Sequence, residues 1–195
     1  MTLDREKIII CSRCLGFAAC RYDGSIVENN FISELSKKIK ILPICPEVEI
    51  GLPAPRKKIM LVKNKKKNRL LQEKTGLDLT SKMNDFIESF FEDYLQKENP
   101  KIAGFILKSR SPSCGIKDCK IYKIVQQKED KENNDEQKEQ EERKTKLKQA
   151  GKEDGLFAAA AKKYYPETPM INEKQLQNKD TRSRFYEKIY EMDCK

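Results

Sequence analysis

Short apolar runs separated by charged segments are the main pattern along the chain. Four runs rich in β-branched residues are bounded by proline, glycine or charge, at 7–10, 39–42, 58–62 and 102–107. Runs of this length and composition predict β-strands. A shorter strand is predicted at 120–125, and another near 169–171.

Between these strands, apolar residues recur at helical spacing. The clearest helix is predicted at 81–96, with Thr80 as its N-cap. Further helices are predicted at 31–40, 155–165 and 181–192. Strands that alternate with helices are typical of a parallel sheet covered on both faces. The sequence therefore predicts an α/β fold, with a Rossmann-like parallel sheet flanked by helices.

One segment departs from this pattern. Gln126 to Gln149 is highly charged and contains a single apolar residue, Leu147. Its composition fits a solvated helix or a mobile, disordered loop, and we favour mobility. We therefore predict one domain over 1–195, with a charged low-complexity insertion at about 126–149.

The charge of the chain restricts the class of partner only weakly. Forty Lys and Arg against 31 Asp and Glu give a net charge of +9. This excess suits RNA or a phosphate-bearing small molecule, but a lysine-rich solvated surface explains it equally well. No apolar run approaches the roughly 20 residues that span a bilayer, and no signal-peptide layout is present. We expect a cytoplasmic protein with no membrane contact.

The chain has seven cysteines and no histidine. In a cytoplasmic protein, this number of cysteines favours metal binding or catalysis over a disulfide framework. Without imidazole, any metal must be held by sulfur and carboxylate, which excludes most zinc hydrolases and Ser–His–Asp triads. Proton transfer must then use Asp, Glu, Lys, Tyr or Cys.

Three of the cysteines follow predicted strands: Cys14, Cys45 and Cys114. Functional groups in open parallel sheets gather beyond the carboxyl ends of the strands, so we expect these three thiols at one edge of the sheet. Convergent thiolates without imidazole suit an iron–sulfur cluster or a thiolate zinc site. Three ligands rather than four would leave one metal position open, as catalytic sites do.

The other cysteines have a simpler interpretation. An isolated cysteine usually packs as a small buried hydrophobe, and we interpret Cys11, Cys119 and Cys194 in this way. Cys11 and Cys14 also form a C-x-x-C pair, a spacing found in redox sites. Cys20 is either a fourth ligand or a packing residue. Spacing alone leaves the metal cluster and simple packing evenly balanced.

Three motifs resemble those of the thiouracil desulfidase (TudS-type) family: "CLGFAACRYDG" from Cys14, "CPEVEIGLPAPR" from Cys45 and "LKSRSPSCG" from Leu107. The resemblance covers nearly the whole chain, with the motifs in the family's order. The segments "GLFAAAAKKYYPETPMINE" and "NKDTRSRFYEKIY" look like the closing part of this domain in relatives that carry a second C-terminal module. We do not expect that module here.

The resemblance implies a Rossmann-like domain that binds a 4Fe–4S cluster through three cysteines and leaves one iron open. By motif, the ligands are Cys14, Cys45 and Cys114. Glu47 matches the catalytic carboxylate of the family. Ser111 matches a serine implicated at the site.

Further residues complete the predicted site. Ser113 lies beside Ser111 and is counted with it among the catalytic residues. Arg21, Arg56 and Arg110 are candidates for orienting the pyrimidine carbonyls or a phosphate. Each arginine is equally plausible as half of a structural ion pair.

The activity that the resemblance implies is non-redox hydrolysis of the C=S bond of a thiolated pyrimidine, thiouracil or thiouridine, with release of sulfide. The basic surface favours a nucleoside, a nucleotide or tRNA over the free base. One alternative is an RNA-binding or sulfur-carrier protein with a structural Cys-bound metal centre, which Cys20 as a fourth ligand would favour. A thiolate zinc module is the other. The sequence carries no signal for the oligomeric state.

Overall fold

The structure, a computed structural model, describes residues 7–64, 68–125 and 146–191. Its strands are β1 Lys7–Ser12, β2 Lys40–Ile44, β3 Ile59–Val62, β4 Arg69–Gln72, β5 Lys101–Leu107, β6 Cys119–Val125, β7 Lys146–Glu153 and β8 Met170–Asn172. Its α-helices are α1 Asn30–Ser36, α2 Pro46–Glu49, α3 Thr80–Glu88, α4 Leu95–Glu98, α5 Leu156–Tyr164 and α6 Lys179–Glu191. A π-helical segment, Ser89–Tyr94, joins α3 to α4, and a 3₁₀ turn, Gln175–Gln177, precedes α6.

The first sheet is parallel throughout, in the order β2-β1-β5-β8. Successive residues of a strand point to opposite faces, so β1 contributes to two hydrophobic cores. Ile9 belongs to the core that contains α1 and α6, whereas Ile10 belongs to the core that contains α3 and α5. This sheet, with helices on both faces, confirms the predicted α/β class.

The predicted strands at 58–62 and 120–125 lie in a second sheet rather than in the first. Its order is β4-β3-β6-β7, with β3 and β6 parallel and the two outer pairs antiparallel. Cys119 and Ile121 of β6 are buried, whereas Lys120 between them is exposed. This alternation is typical of a sheet with one solvated face, and it distinguishes β6 from the continuously buried central strands β1 and β5 of the first sheet.

Strand β7 corrects the predicted boundaries of the charged insertion. Residues 146–149 were assigned to the insertion, but they pair with β6 in antiparallel register, with Lys146 opposite Val125 and Gln149 opposite Tyr122. Residues 126–145 lie outside the described residues, so their mobility stays a prediction.

The predicted helices are present, with shifted ends. The helix expected at 81–96 is observed as α3, the π-helical segment and α4. Leu79 occupies the N-cap in place of Thr80, whose hydroxyl instead accepts the Leu70 N–H at 2.9 Å. Helix α2 was not predicted. Within the described ranges, no helix combines the length and the apolar character that a membrane crossing requires.

Candidate active site

The carboxyl ends of three parallel strands bring the predicted ligand cysteines to one cavity of about 480 Å³. Cys14 follows β1, Cys45 follows β2 directly, and Cys114 lies in the loop after β5. All three side chains line this cavity and are buried. The prediction that these thiols meet at one sheet edge is thus confirmed, while their role as ligands stays a prediction.

Local hydrogen bonds fix the backbone at each of the three cysteines. The Cys14 carbonyl accepts the Val27 N–H at 2.8 Å. Cys45 is the N-cap of α2, and its carbonyl accepts the N–H groups of the first turn. The Cys114 N–H donates to Ser111 Oγ at 3.1 Å, the local hydroxyl turn that serine favours. The cavity wall is therefore built from short, well-anchored segments.

The loop that carries Cys114 is also the N-terminal cap of α5. The N–H groups of Leu156 and Phe157 donate to the carbonyls of Pro112 and Ser113, at 3.1 and 2.9 Å. Gly155 permits this approach, because a Cβ at that position would lie 2.5 Å from the Ser113 carbonyl carbon and oxygen. The first-turn N–H groups of α5 are thus satisfied by the site loop rather than by a side chain.

Cys20 lines the same cavity, so four thiols form one interacting group. Its sulfur lies within hydrogen-bond reach of Cys14 and Cys45. The hydrogen bond from Cys14 lowers the pKa of Cys20 to about 6 and raises the pKa of Cys14. Burial raises the pKa of Cys45 to about 12 and that of Cys114 to about 11.

Two further cysteines lie outside this cavity. Cys11 is fully buried in β1, and Cys119 is buried at the start of β6. Burial raises the pKa of both thiols, that of Cys119 to about 12. Because buried thiols with raised pKa values are poor nucleophiles, the packing interpretation suits both residues. Cys194 lies outside the described residues.

Glu47 is buried in α2, and its two carboxylate oxygens have different partners. Oε2 accepts hydrogen bonds from Nε and Nη2 of Arg56, at 2.9 and 2.5 Å. Oε1 accepts the hydroxyls of Ser113 at 3.0 Å and Ser111 at 3.4 Å, and these two hydroxyls are 2.9 Å apart. All three predicted catalytic side chains therefore form one hydrogen-bonded network in the cavity wall.

Arg56 makes four hydrogen bonds in this part of the cavity wall. Its remaining nitrogen, Nη1, donates to the carbonyls of Cys20 at 2.9 Å and Pro53 at 3.1 Å. Only 3% of the side chain is exposed. Of the two roles that the sequence left open for Arg56, this geometry favours the structural ion pair with Glu47 over contact with a substrate.

Cations dominate the rest of the cavity wall. Besides Arg56, they are Arg13, Arg21, Lys58, Lys108, Arg110 and Lys174, and Glu47 is the one acidic residue that lines the same wall. Three of them have acidic partners: Arg13 pairs with Glu49, Arg21 with Asp23, and Lys108 with Glu173. In the part of the chain that the structure describes, Lys58, Arg110 and Lys174 form no ion pair.

Glu173 is a buried carboxylate beside the cavity that the sequence analysis missed. It accepts the Ser109 N–H at 2.7 Å, the Ser109 hydroxyl at 2.6 Å and Lys108 Nζ at 2.6 Å. Burial acts to raise the pKa of Glu173, but hydrogen bonds from Lys108 and Ser109 outweigh it and hold the pKa below its usual range. Glu173 follows β8 directly, so the strand-end rule that selected the cysteines would have found it.

The chemistry of this donor set fits an iron–sulfur cluster. Three of the thiols come from separate strand ends and line one cavity. Thiolates are the usual ligands of such clusters, and metal binding displaces the thiol protons. Cys14, Cys45 and Cys114 are thus suitable ligands for a 4Fe–4S cluster.

Comparison with known proteins agrees with this chemistry. The family model described as 2-thiouracil desulfurase matches residues 9–173. An uncharacterized protein of Bacillus subtilis (strain 168), YbbK, is 31% identical over 114 residues, which is 55% of this chain and 73% of that protein. The solved structure of the [4Fe-4S]-dependent thiouracil desulfidase TudS matches with a TM-score of 0.57 and 25% identity, covering 89% of this chain and 94% of that chain.

Proposed function

Since the chain belongs to the 2-thiouracil desulfurase family, we propose that it is a [4Fe–4S]-dependent desulfidase that hydrolyses the C=S bond of a thiolated pyrimidine. One observation carries the proposal: three thiols from separate strand ends and the Glu47–Ser113–Ser111 network line the same cavity. The reaction exchanges sulfur for the oxygen of water at constant oxidation state and releases hydrogen sulfide. It therefore needs no external reductant.

The cluster would be held by Cys14, Cys45 and Cys114, each bound to a different iron. The fourth iron would have none of these three cysteines as a ligand. When bound, the cluster supplies a thiophilic Lewis acid that polarises the C=S bond. The buried position of the three thiols keeps bulk water away from this part of the cavity. The thiocarbonyl carbon would then meet a single positioned water.

Glu47 is the proton acceptor for that water. Arg56 occupies Oε2, so Oε1 is the oxygen that receives the proton, directly or through Ser113. The Ser111 oxygen already accepts the N–H groups of Ser113 and Cys114, at 3.2 and 3.1 Å. Its own proton is shared between Glu47 Oε1 at 3.4 Å and Ser113 Oγ at 2.9 Å, and a bound substrate would compete with these two acceptors for it.

Two cavities together favour a substrate that carries phosphate. The unpaired cations Lys58 and Arg110 also line a second cavity of about 450 Å³, where Lys120 and Lys152 give four cations against the two carboxylates Glu73 and Asp118. Lys120 and Lys152 lie directly opposite each other in β6 and β7, where like charges repel. An anion relieves that repulsion, so a thiouridine nucleotide or a thiolated tRNA suits this surface better than the free base. Arg110 would contact the phosphate.

Arg21 retains a smaller part in this proposal. It lines the first cavity, but it pairs with Asp23 at 3.4 Å and donates to Ser25 Oγ at 2.5 Å. Its remaining donors would orient a pyrimidine carbonyl. A cytoplasmic location belongs to the proposal as well, because the six cysteines in the described segments are all free thiols.

The proposal is tested with anaerobically reconstituted protein. Iron and sulfide analysis should give a 4Fe–4S cluster, and the loaded protein should release sulfide from thiouracil, thiouridine or thiouridine monophosphate. A cluster-loaded protein that releases no sulfide from any of the three, and none from thiolated tRNA, contradicts the proposal. If that protein binds tRNA, it is instead the RNA-binding or sulfur-carrier alternative.

A further inference from the structure

Cys20 is a fourth thiol in the cavity, and the three-ligand scheme gives it no role. It is only 6% exposed. The Cys45 thiol approaches the Cys20 carbonyl, with 3.9 Å between Sγ and O, and Arg56 donates to the same oxygen at 2.9 Å. The Cys20 carbonyl is thus anchored, and Cys20 lines the same cavity as the three predicted ligands.

The backbone around Cys20 differs from that around the other three thiols. Cys45 caps a helix, and Cys114 is tied to Ser111, whereas Cys20 ends an irregular stretch, 18–20. Residues 16, 17 and 19 are exposed. Arg56 fixes the Cys20 carbonyl, so rotation about χ1 is the motion left to the sulfur. A single torsion therefore changes the position of this sulfur relative to the other three thiols.

We propose that Cys20 is a displaceable fourth ligand, whose thiolate occupies the iron left open by Cys14, Cys45 and Cys114 until a substrate sulfur replaces it. This rests on the proposed function, because the site must bind a cluster and then accept a thiocarbonyl sulfur. It deepens that function by naming what protects the reactive iron between turnovers.

The exchange balances without an added reagent. Cys20 would leave the iron as a thiolate and keep both electrons of the bond, while the thiocarbonyl sulfur would supply the replacing electron pair. The released sulfur would stay in a cavity that Arg13 and Arg56 also line. No oxidant or reductant is therefore required.

The test compares wild-type protein with Cys20→Ala and Cys20→Ser, and Cys119→Ala serves as the matched control. Cys119 is also a buried cysteine, but it lies outside the first cavity. Each protein is reconstituted anaerobically and analysed for iron and sulfide. The cluster is then reduced with dithionite, because only the reduced form gives an electron paramagnetic resonance signal, and that signal is followed during titration with hydrosulfide. The serine variant keeps nearly the same volume, so it reports on the site even if the alanine variant does not fold.

We expect all four proteins to hold the same iron and sulfide. If the Cys20 thiolate occupies the iron in nine of ten molecules, the apparent affinity for hydrosulfide is about tenfold lower than without it. Removing the Cys20 thiol should therefore tighten hydrosulfide binding by about that factor. Cys119→Ala should match wild type. Equal hydrosulfide affinity in Cys20→Ala and wild type overturns the proposal.

Loss of the cluster from both Cys20 variants also overturns it, because Cys20 would then be a permanent structural ligand. The failure of the proposed function looks different. In that case cluster-loaded wild-type protein releases no sulfide from thiouracil, while the hydrosulfide titration still separates the Cys20 variants from the control.

Discussion

Arg56 binds one oxygen of Glu47 with two of its nitrogens, at 2.9 and 2.5 Å, and leaves the other oxygen to Ser113. The two ends of one carboxylate are therefore chemically distinct. Oε2 is held by a charge-assisted pair, whereas Oε1 meets hydroxyls that can exchange protons with a bound water. This asymmetry fixes which oxygen of Glu47 is free to accept a proton in the proposed reaction.

Glu47→Gln should separate chemistry from cluster assembly. Glutamine is nearly isosteric with glutamate but accepts no proton, so turnover should fall by about 10²–10⁴, the usual contribution of general acid–base catalysis. Iron content and the cluster spectrum should match wild type. Sulfide release by the reconstituted variant measures the effect, and near-wild-type turnover would remove Glu47 from the mechanism.

Arg56→Lys should slow turnover without changing the number of charges. A lysine ammonium cannot reproduce the paired contact with Oε2 and also reach the carbonyls of Cys20 and Pro53. Arg56→Ala should cost about 3–5 kcal/mol of unfolding free energy, because it leaves a buried carboxylate without its partner. Urea denaturation measures this cost. Arg21→Ala is the control, since its pair with Asp23 is more exposed and should contribute far less to stability.

Each of Cys14→Ala, Cys45→Ala and Cys114→Ala should lose or damage the cluster. Removing one of three protein ligands leaves too few thiolates to hold four irons. Iron analysis and the absorption spectrum after reconstitution measure the loss. The matched controls are Cys11→Ser, Cys119→Ser and Cys194→Ser, which should keep both cluster and activity. A full cluster in any of the three alanine variants would show that its cysteine is not a ligand.

The convergence of the thiols was predictable because it depends on local pattern plus one topological rule. Strand ends can be located from short apolar runs, and parallel strands place their carboxyl ends together. The contact between Arg56 and Glu47 was not predictable in this way. It requires the segment after α2 to fold back over the cavity, where the Arg56 N–H donates to the Tyr22 carbonyl at 2.7 Å. No hydrophobic periodicity in the sequence predicts that this segment folds back.

The second sheet was missed for a related reason. Its parallel contact joins β3 to β6, with Leu61 opposite Ile121, across a long separation in sequence. The local signal in the sequence is Lys120, a charged residue between the apolar Cys119 and Ile121, whereas the apolar run at 102–107 holds no charge. This difference favours one solvated face for β6 and two covered faces for β5.

The register of β6 and β7 predicts how the charged segment can be shortened. Val125 and Lys146 are paired residues, so replacing 126–145 by a two-residue Asn-Gly turn closes a hairpin of unchanged register. This deletion should keep the melting temperature and the reconstituted cluster. Deleting 126–149 instead removes part of β7 and should lower the melting temperature. Equal loss of stability in both deletions would show that 126–145 contributes to the fold.

The unpaired cations predict a salt-dependent preference for phosphate. Lys58→Ala, Arg110→Ala and Lys174→Ala should each raise KM for thiouridine monophosphate and leave KM for thiouracil nearly unchanged. If tRNA is the substrate, its affinity should fall steeply with salt. Lys123→Ala is the control, because Lys123 lies on β6 and lines neither cavity. Effects of the same size on both substrates would contradict a phosphate contact.

The close approach of Gly155 to Ser113 limits how this site can be transplanted. A designer who moved only the "SPSCG" loop to another scaffold would leave its carbonyls without the first-turn N–H groups of α5. The smallest portable unit therefore runs from the end of β5 through the whole of α5, with glycine kept at the start of the helix. The loop and the helix would therefore have to be transferred together as one segment.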